Sequence, residues 1–274
     1  MRPDVSVIMP AFQATATIVR AVESAFAQEG VAVELVLCAD DDIDYGAILP
    51  AELRPAHKLV LCRTPAPRSG PSAARNIAMR QARTDIIACL DADDAYPPDR
   101  LARLLPLAER YGVATGPTRE IDPCNRATRT ARPLRGGAFL DLEDICELRM
   151  PFSPVFQKGK FRAGWPAIDF AEDVILNVDL YCACGVYPFV EGAEYIYHLS
   201  NGSRSHSAQA LQQARSGYLQ ILDLVDERDW PQPVRELVRR VFSEDLAAVE
   251  RAQSTSEAET TSTWRDVVRD GSAR

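Results

Sequence analysis

Along the first hundred residues, short apolar runs alternate with stretches in which apolar residues recur every three or four positions. Val5-Ser6-Val7-Ile8-Met9 is a β-rich run that Pro10 is expected to stop. Ile18, Ala21/Val22 and Ala25/Phe26 follow at helical spacing, behind Thr15 and Thr17 as candidate caps. Val33 to Cys38 and Lys58 to Cys62 read as a second and a third strand. A helix is expected around Gly70-Pro71-Ser72, with Pro in its first turn and Ala74, Ile77, Ala78 and Ala82 on one face. Ile86 to Leu90 is a fully apolar strand that runs into Asp91-Ala92-Asp93-Asp94. Pro98 and Asp99 open a helix carrying Leu101, Leu104 and Leu105, which Pro106 should end or kink.

Strands this apolar, separated by amphipathic helices, predict an α/β fold with a mostly parallel central sheet flanked by helices. Ligands of such sheets collect beyond the carboxyl ends of the strands. That rule puts Pro10-Ala11-Phe12, Asp40-Asp41-Asp42 and Asp91-Ala92-Asp93-Asp94 along one rim.

The pattern changes after residue 116. The stretch 117–137 carries Arg119, Arg126, Arg129, Arg132 and Arg135 with little periodicity, and reads as an irregular excursion or a pair of edge strands. A helix is expected from about Ala171 to Cys182 with Val174, Ile175 and Val178 inward, then strands over Tyr187–Val190 and Tyr195–His198. A polar loop covers 200–207, two helices cover about 208–228 and 233–252, and a Ser/Thr/Glu-rich tail from Gln253 has little to bury. The expected organisation is a catalytic domain over 1–206, with halves 1–116 and 117–206, a helical extension over 207–252 and a flexible tail over 253–274.

Composition narrows the function. Hydrophobic residues make up 46% and charged residues 26% of 274, as in an ordinary globular protein. The formal charge of −8 gives no basic footprint, so nucleic acid is not an expected partner. Seven cysteines without a C-x-x-C pair, several inside apolar runs, read as reduced thiols packed as small hydrophobes. No apolar run approaches the about 20 residues of a membrane helix, and Met1-Arg2-Pro3-Asp4 leads straight into a strand. The expected location is cytoplasmic, with peripheral membrane association left open.

Asp-x-Asp alone is common, and Asp40/Asp42 and Asp42/Asp44 satisfy it too. What distinguishes Asp91-Ala92-Asp93-Asp94 is its place at the tip of a buried strand. Carboxylates crowded there repel one another unless a cation shares them, and hard oxygen ligands suit Mg²⁺ or Mn²⁺. The plainer alternative is an acidic turn in which Asp94 or Asp99 caps the next helix.

The chain resembles family 2 glycosyltransferases of the GT-A fold, a Rossmann-like fold of nucleotide-diphospho-sugar transferases, over roughly residues 4–205. Val5 to Phe12 is similar to the opening strand and nucleotide-facing turn, and Glu34 to Asp40 to the second strand. Gly70 to Asn76 is similar to the helix start before the metal motif, followed in order by Leu90 to Asp94 and Pro98-Asp99-Arg100-Leu101. Glu172-Asp173 resembles the late acidic pair. Ala39 stands where the first of two aspartates is usual, and Gln13 where Asn is usual.

The resemblance implies roles. Pro10 and Phe12 lie near the nucleobase, Asp40 accepts from the base, and Arg75 faces base or phosphates. Asp91 and Ala92 border the ribose, Asp93 ligates Mn²⁺ or Mg²⁺ on the diphosphate, Glu172 orients the acceptor, and Asp173 is the general base. Arg204, in the polar loop with His206, closes over the diphosphate. The donor is a nucleotide sugar, UDP-sugar favoured, and the acceptor a glycan, glycolipid or small molecule. The motif Gln212-Gln213-Ala214-Arg215 is followed by Ser216 rather than Trp, which favours transfer of single sugars. Two other readings stay open: a haloacid-dehalogenase-like phosphatase using Asp91 and Asp93, and a non-catalytic nucleotide-sugar-binding homologue.

Overall fold

The computed structural model describes residues 2–54, 58–148, 152–199, 210–256 and 267–268. They form two compact units, one of Met1–Ala167 with Asp173–His198, the other of Ile168–Glu172 with Leu199–Arg274.

The first unit begins β1 (Val5–Ala11), α1 (Ile18–Phe26), β2 (Val33–Ala39), α2 (Tyr45–Ile48), β3 (Leu59–Arg63), α3 (Pro71–Gln81), β4 (Ile86–Cys89) and α4 (Arg100–Tyr111). It continues with β5 (Val113–Ala114), β6 (Thr118–Ile121), β7 (Ala127–Ala131), α5 (Leu142–Glu147), β8 (Val155–Gln157), most of α6 (Glu172–Cys184), and β9 (Tyr195–His198). Six strands make the main sheet in the order β3-β2-β1-β4-β8-β5. The pairs among β3, β2, β1 and β4 are parallel, whereas β8 runs antiparallel to β4 and to β5. A three-stranded sheet, β7-β6-β9, pairs β6 parallel with β9.

Val7, Met9, Leu35 and Leu37 are buried in one cluster with Ile18 and Val22 of α1 and Leu101 and Leu104 of α4. α3 packs on β1, β2 and β3. Each such aliphatic side chain taken from water contributes about 1.5–3 kcal/mol. The apolar strands predicted from the sequence are therefore the buried parallel centre, and the predicted α/β architecture is the one observed.

Several local expectations are corrected. Pro10 does not stop β1, which runs on to Ala11. In a parallel ladder, a residue's N–H and C=O point to the same neighbour. The Leu90 N–H donates to Ile8 O and the Asp40 N–H to Ala11 O, so residue 10 faces the β4 side. Pairing with β4 ends at Ile8, so no partner misses the absent proline N–H. Pro106 lies inside α4 on its exposed side, and the helix ends instead at Gly112 in the left-handed region (φ 93°). Tyr187–Val190 is not a strand: Pro188 and Phe189 make only isolated bridges, to Phe139 and Thr115. On α3 the buried face takes Arg75 in place of Ile77, which is only partly buried.

The arginine-rich stretch is a hairpin of β6 and β7. Its charges are met within the unit: Arg119 pairs with Glu194, Arg126 with Asp122, Arg132 with Glu191 and Arg135 with Asp141. All seven cysteines are free thiols.

The second unit holds α7 (Ala210–Glu227) and α8 (Gln232–Ser256), packed on each other. Phe170 packs edge-on against Tyr218, which also meets Phe242. α8 runs beyond the helix expected from the sequence, and Val268 is buried. Among the described residues no helix is long and apolar enough to cross a membrane.

Candidate functional site

From β1 the chain builds outward first to β2 and β3, and then crosses to the other side as β4. The carboxyl ends of β1 and β4 therefore flank the point where the sheet's winding reverses, which opens a crevice between them. Three segments meet around it.

At the end of β2, Asp40 is buried, and its carboxylate is a loop anchor. Oδ1 accepts from Thr64 Oγ1 and the Ser69 N–H, each at 2.8 Å, and Oδ2 accepts from the Gly70 N–H at 2.8 Å. Asp40 thereby ties the 64–70 loop and the start of α3 to the sheet, and Oδ2 retains acceptor capacity.

At the end of β1, Gln13 takes a left-handed conformation (φ 51°). Asp41 secures this costly turn: its Oδ2 accepts from the Gln13 N–H at 2.6 Å and from Tyr45 Oη at 2.9 Å. Tyr45 Oη accepts in turn from the Ala14 N–H at 3.1 Å. The turn holds Phe12 43% exposed, with the Arg68 guanidinium 5.7 Å from its ring centre. Phe12 is thus a rim aromatic and not a core residue.

At the end of β4, Asp91 accepts from Arg75 Nη2 at 2.7 Å. The Arg75 side chain is 10% exposed, so it is no solvated helix arginine. Ala92 is buried, and Arg20 Nη2 donates to the Asp93 carbonyl. Asp94 is 1% exposed and accepts from Tyr195 Oη at 2.6 Å and from the His198 N–H at 2.9 Å. The helix-cap alternative therefore fails. Asp94 faces β9, and Asp99, at the N-cap of α4, makes no capping bond and pairs with Arg103 instead.

The electrostatics of this tip are unfavourable as it stands. Burial, and then the nearby Asp91 charge, push Asp93 up to about 6. Burial, followed by Asp93 and Asp91, raises Asp94 well above the usual carboxylate range. Among the described residues the Asp93 carboxylate meets no side-chain hydrogen-bond donor, and no three acidic, His or Cys side chains gather to hold a metal by themselves. Two hard carboxylates fit a divalent ion whose remaining ligands are water and substrate phosphate, the usual arrangement for Mg²⁺. The donor set fits the expected group.

Asp173 lies in the first turn of α6, where its carbonyl accepts from Asn177 Nδ2 at 2.8 Å. Glu172, the first residue of that helix, is buried and belongs to the second unit. Arg204 and His206 lie outside the described residues. The structure thus brings together Pro10, Phe12, Asp40, Arg75, Asp91, Ala92 and Asp93. Tyr45, Arg20 and Tyr195 were not foreseen, and Asp41 was expected on the rim but not as the residue that holds the Gln13 turn. Only Tyr195 carried a signal, as a tyrosine in a buried strand that must satisfy its hydroxyl.

A family model, Glycosyl transferase family 2, matches residues 6–163. The chain belongs to glycosyl transferase family 2. The succinoglycan biosynthesis protein ExoO of Rhizobium meliloti is 34% identical over 226 residues, covering 74% of this chain and 63% of that protein. The chain spans less than two thirds of the length of that relative. Among solved structures, S. aureus TarS 1-349 in complex with UDP-GlcNAc matches with a TM-score of 0.70 at 15% identity, over 93% of this chain and 76% of the other. The mannosyltransferase PcManGT of Pyrobaculum calidifontis, in complex with GDP-Man and Mn²⁺, gives 0.64 at 16%, over 100% and 80%. The fold of this family 2 chain is accordingly GT-A.

Proposed function

We propose that the chain transfers a single sugar from a nucleotide-diphosphate sugar, a UDP-sugar in the first instance, to an acceptor hydroxyl with inversion at the anomeric carbon. The observation that carries this reading is the half-buried Asp93 beside Asp91 at the reversal point of the sheet, ionised at a cost that a cation on a diphosphate would relieve. Asp93 holds Mn²⁺ or Mg²⁺ in this reading, supported by Asp91. When bound, the metal supplies Lewis-acid neutralisation of the departing diphosphate.

The chain's own groups do the rest. Phe12 offers an exposed face to the nucleobase. Asp40 holds the loop that closes the base pocket and keeps acceptor capacity on Oδ2 for a base N–H. Arg75 fixes the Asp91 carboxylate, which borders the ribose with Ala92. Asp173, in the first turn of a 13-residue helix, takes the proton of the attacking hydroxyl. One base opposite one leaving group performs a single displacement, hence inversion.

The naming of ExoO as a biosynthesis protein for succinoglycan supports a growing glycan as acceptor. UDP-GlcNAc and GDP-Man in the two structural neighbours support a nucleotide sugar as donor. The decisive experiment titrates UDP into the protein by calorimetry with and without Mn²⁺. A clear metal-dependent gain is expected in the parent and none in Asp93→Asn, and equal parent affinity with and without metal refutes the reading.

A further inference from the structure

Arg100 is the largest fully buried side chain of the described residues. Its guanidinium lies 5.1 Å from the Tyr96 ring centre and 5.4 Å from that of Tyr195, while Nη1 and Nη2 donate to the Ala193 and Ser153 carbonyls. It meets no carboxylate among the described residues, so a buried charge is held by aromatic faces and carbonyls alone. A buried cation of this kind is costly and calls for an explanation. The explanation lies one contact further on. Tyr96 and Tyr195 pack edge to face at 5.8 Å, which with Arg100 leaves the Tyr195 ring little room to turn. Its hydroxyl then reaches the acidic tip twice, donating to Asp94 Oδ2 at 2.6 Å and accepting from the Asp91 N–H at 3.2 Å.

We propose that Tyr195, clamped by Arg100, is a positioning residue that sets the Asp91–Asp94 turn so that Asp93 faces the metal-bearing diphosphate. The inference rests on the sugar-transfer reading above. Tyr195 touches neither metal nor substrate and acts through Asp94 and the Asp91 backbone. A hydroxyl that donates to one carboxylate of the turn and accepts from the backbone of another fixes the spacing between them. Without it, Asp94 keeps only the His198 N–H, and the Asp91 amide loses its acceptor.

Tyr195→Phe removes the hydroxyl and keeps the ring, and with it the contacts to Arg100 and Tyr96. The loss of a buried hydrogen bond that leaves its partners unsatisfied corresponds to about a ten- to hundredfold effect. Calorimetry should show UDP affinity without metal within threefold of the parent, and the Mn²⁺-dependent gain reduced about ten- to hundredfold. Asp94→Asn probes the other end of the bond, and the double variant should lose no more than the worse single one. A Tyr195→Phe protein that keeps the parent's metal gain within threefold, or losses that add in the double variant, overturn the positioning role and leave the transfer reading standing. A parent without any metal gain overturns both. Should Tyr195→Phe unfold, Asp94→Asn alone carries the test, and an undiminished metal gain there overturns the role.

Discussion

Asp93→Asn should stabilise the protein in the absence of metal, although it removes the residue proposed to hold the metal. Burial and the Asp91 charge lift Asp93 from an ordinary 3.8 to about 6. Between these values the folded chain holds a proton that the unfolded chain has lost, so stability rises as pH falls through 6 and is lowest above it. About two pH units at 1.36 kcal/mol each put the penalty at about 3 kcal/mol near pH 8. The asparagine amide itself gives up water on partial burial, which leaves a net gain of about 1–2 kcal/mol. At about 2–4 °C per kcal/mol, the variant should melt about 2–8 °C higher. The assay is thermal unfolding in a chelating buffer at pH 8, 5 and 4, with the gain largely gone by pH 5 and the order reversed at pH 4, where only the burial cost of the asparagine amide remains. Saturating UDP and Mn²⁺ should reverse the order, since ligand at a hundred times its Kd adds about 2.7 kcal/mol to the parent only. A variant that melts no higher than the parent at pH 8, or a gap that ignores pH, refutes the reasoning.

Asp173→Asn should lower sugar transfer by about 10²–10⁴-fold while UDP–Mn²⁺ affinity stays within threefold; transfer near the parent rate would require a different base. Arg75→Met should cost about 1–2 kcal/mol in urea unfolding, because it strips a charge-assisted bond from Asp91 at a site only 10% exposed on the arginine side. An unchanged midpoint would show that this ion pair contributes nothing to the fold. Gly116→Ala would place its Cβ 2.1 Å from the Ala193 carbonyl oxygen and 2.9 Å from that of Val190. Both obstacles are backbone, so a loss of about 3 kcal/mol is expected, and parental stability in urea would contradict the packing.

The parallel centre of the sheet was legible because β1, β2 and β4 are buried on both faces and so carry nearly continuous apolar runs, broken only by Ser6 and Glu34, which hydrogen-bond each other. The acidic turn was legible for the same reason, since charge at the end of such a run stands out. Pro10 misled because its effect depends on which neighbour its missing N–H faces, a property of the register that no local pattern encodes. Tyr187–Val190 has the composition of a strand, but its groups go to single bridges with Thr115 and Phe139. The supports of the site were hidden by distance. Asp41 acts on residue 13, and Tyr195 acts on residues about a hundred positions earlier. Arg75 was expected to face base or phosphates; the structure pairs it with Asp91.

The bond between Asp94 and Tyr195 joins residues 101 positions apart, and the one between Asp94 and His198 spans 104. Contacts of that separation form only after a large loss of chain entropy and weigh heavily on folding rate. During synthesis, β1 to β4 and their helices leave the ribosome long before residue 195 exists. Until β9 docks beside β6, the Asp94 carboxylate lacks both donors that meet it in the finished fold. The hydrogen bonds that set the acidic turn are therefore among the last contacts the chain acquires, and a nascent fragment ending before Tyr195 presents the strands of the rim without the groups that hold the Asp91–Asp94 turn in place.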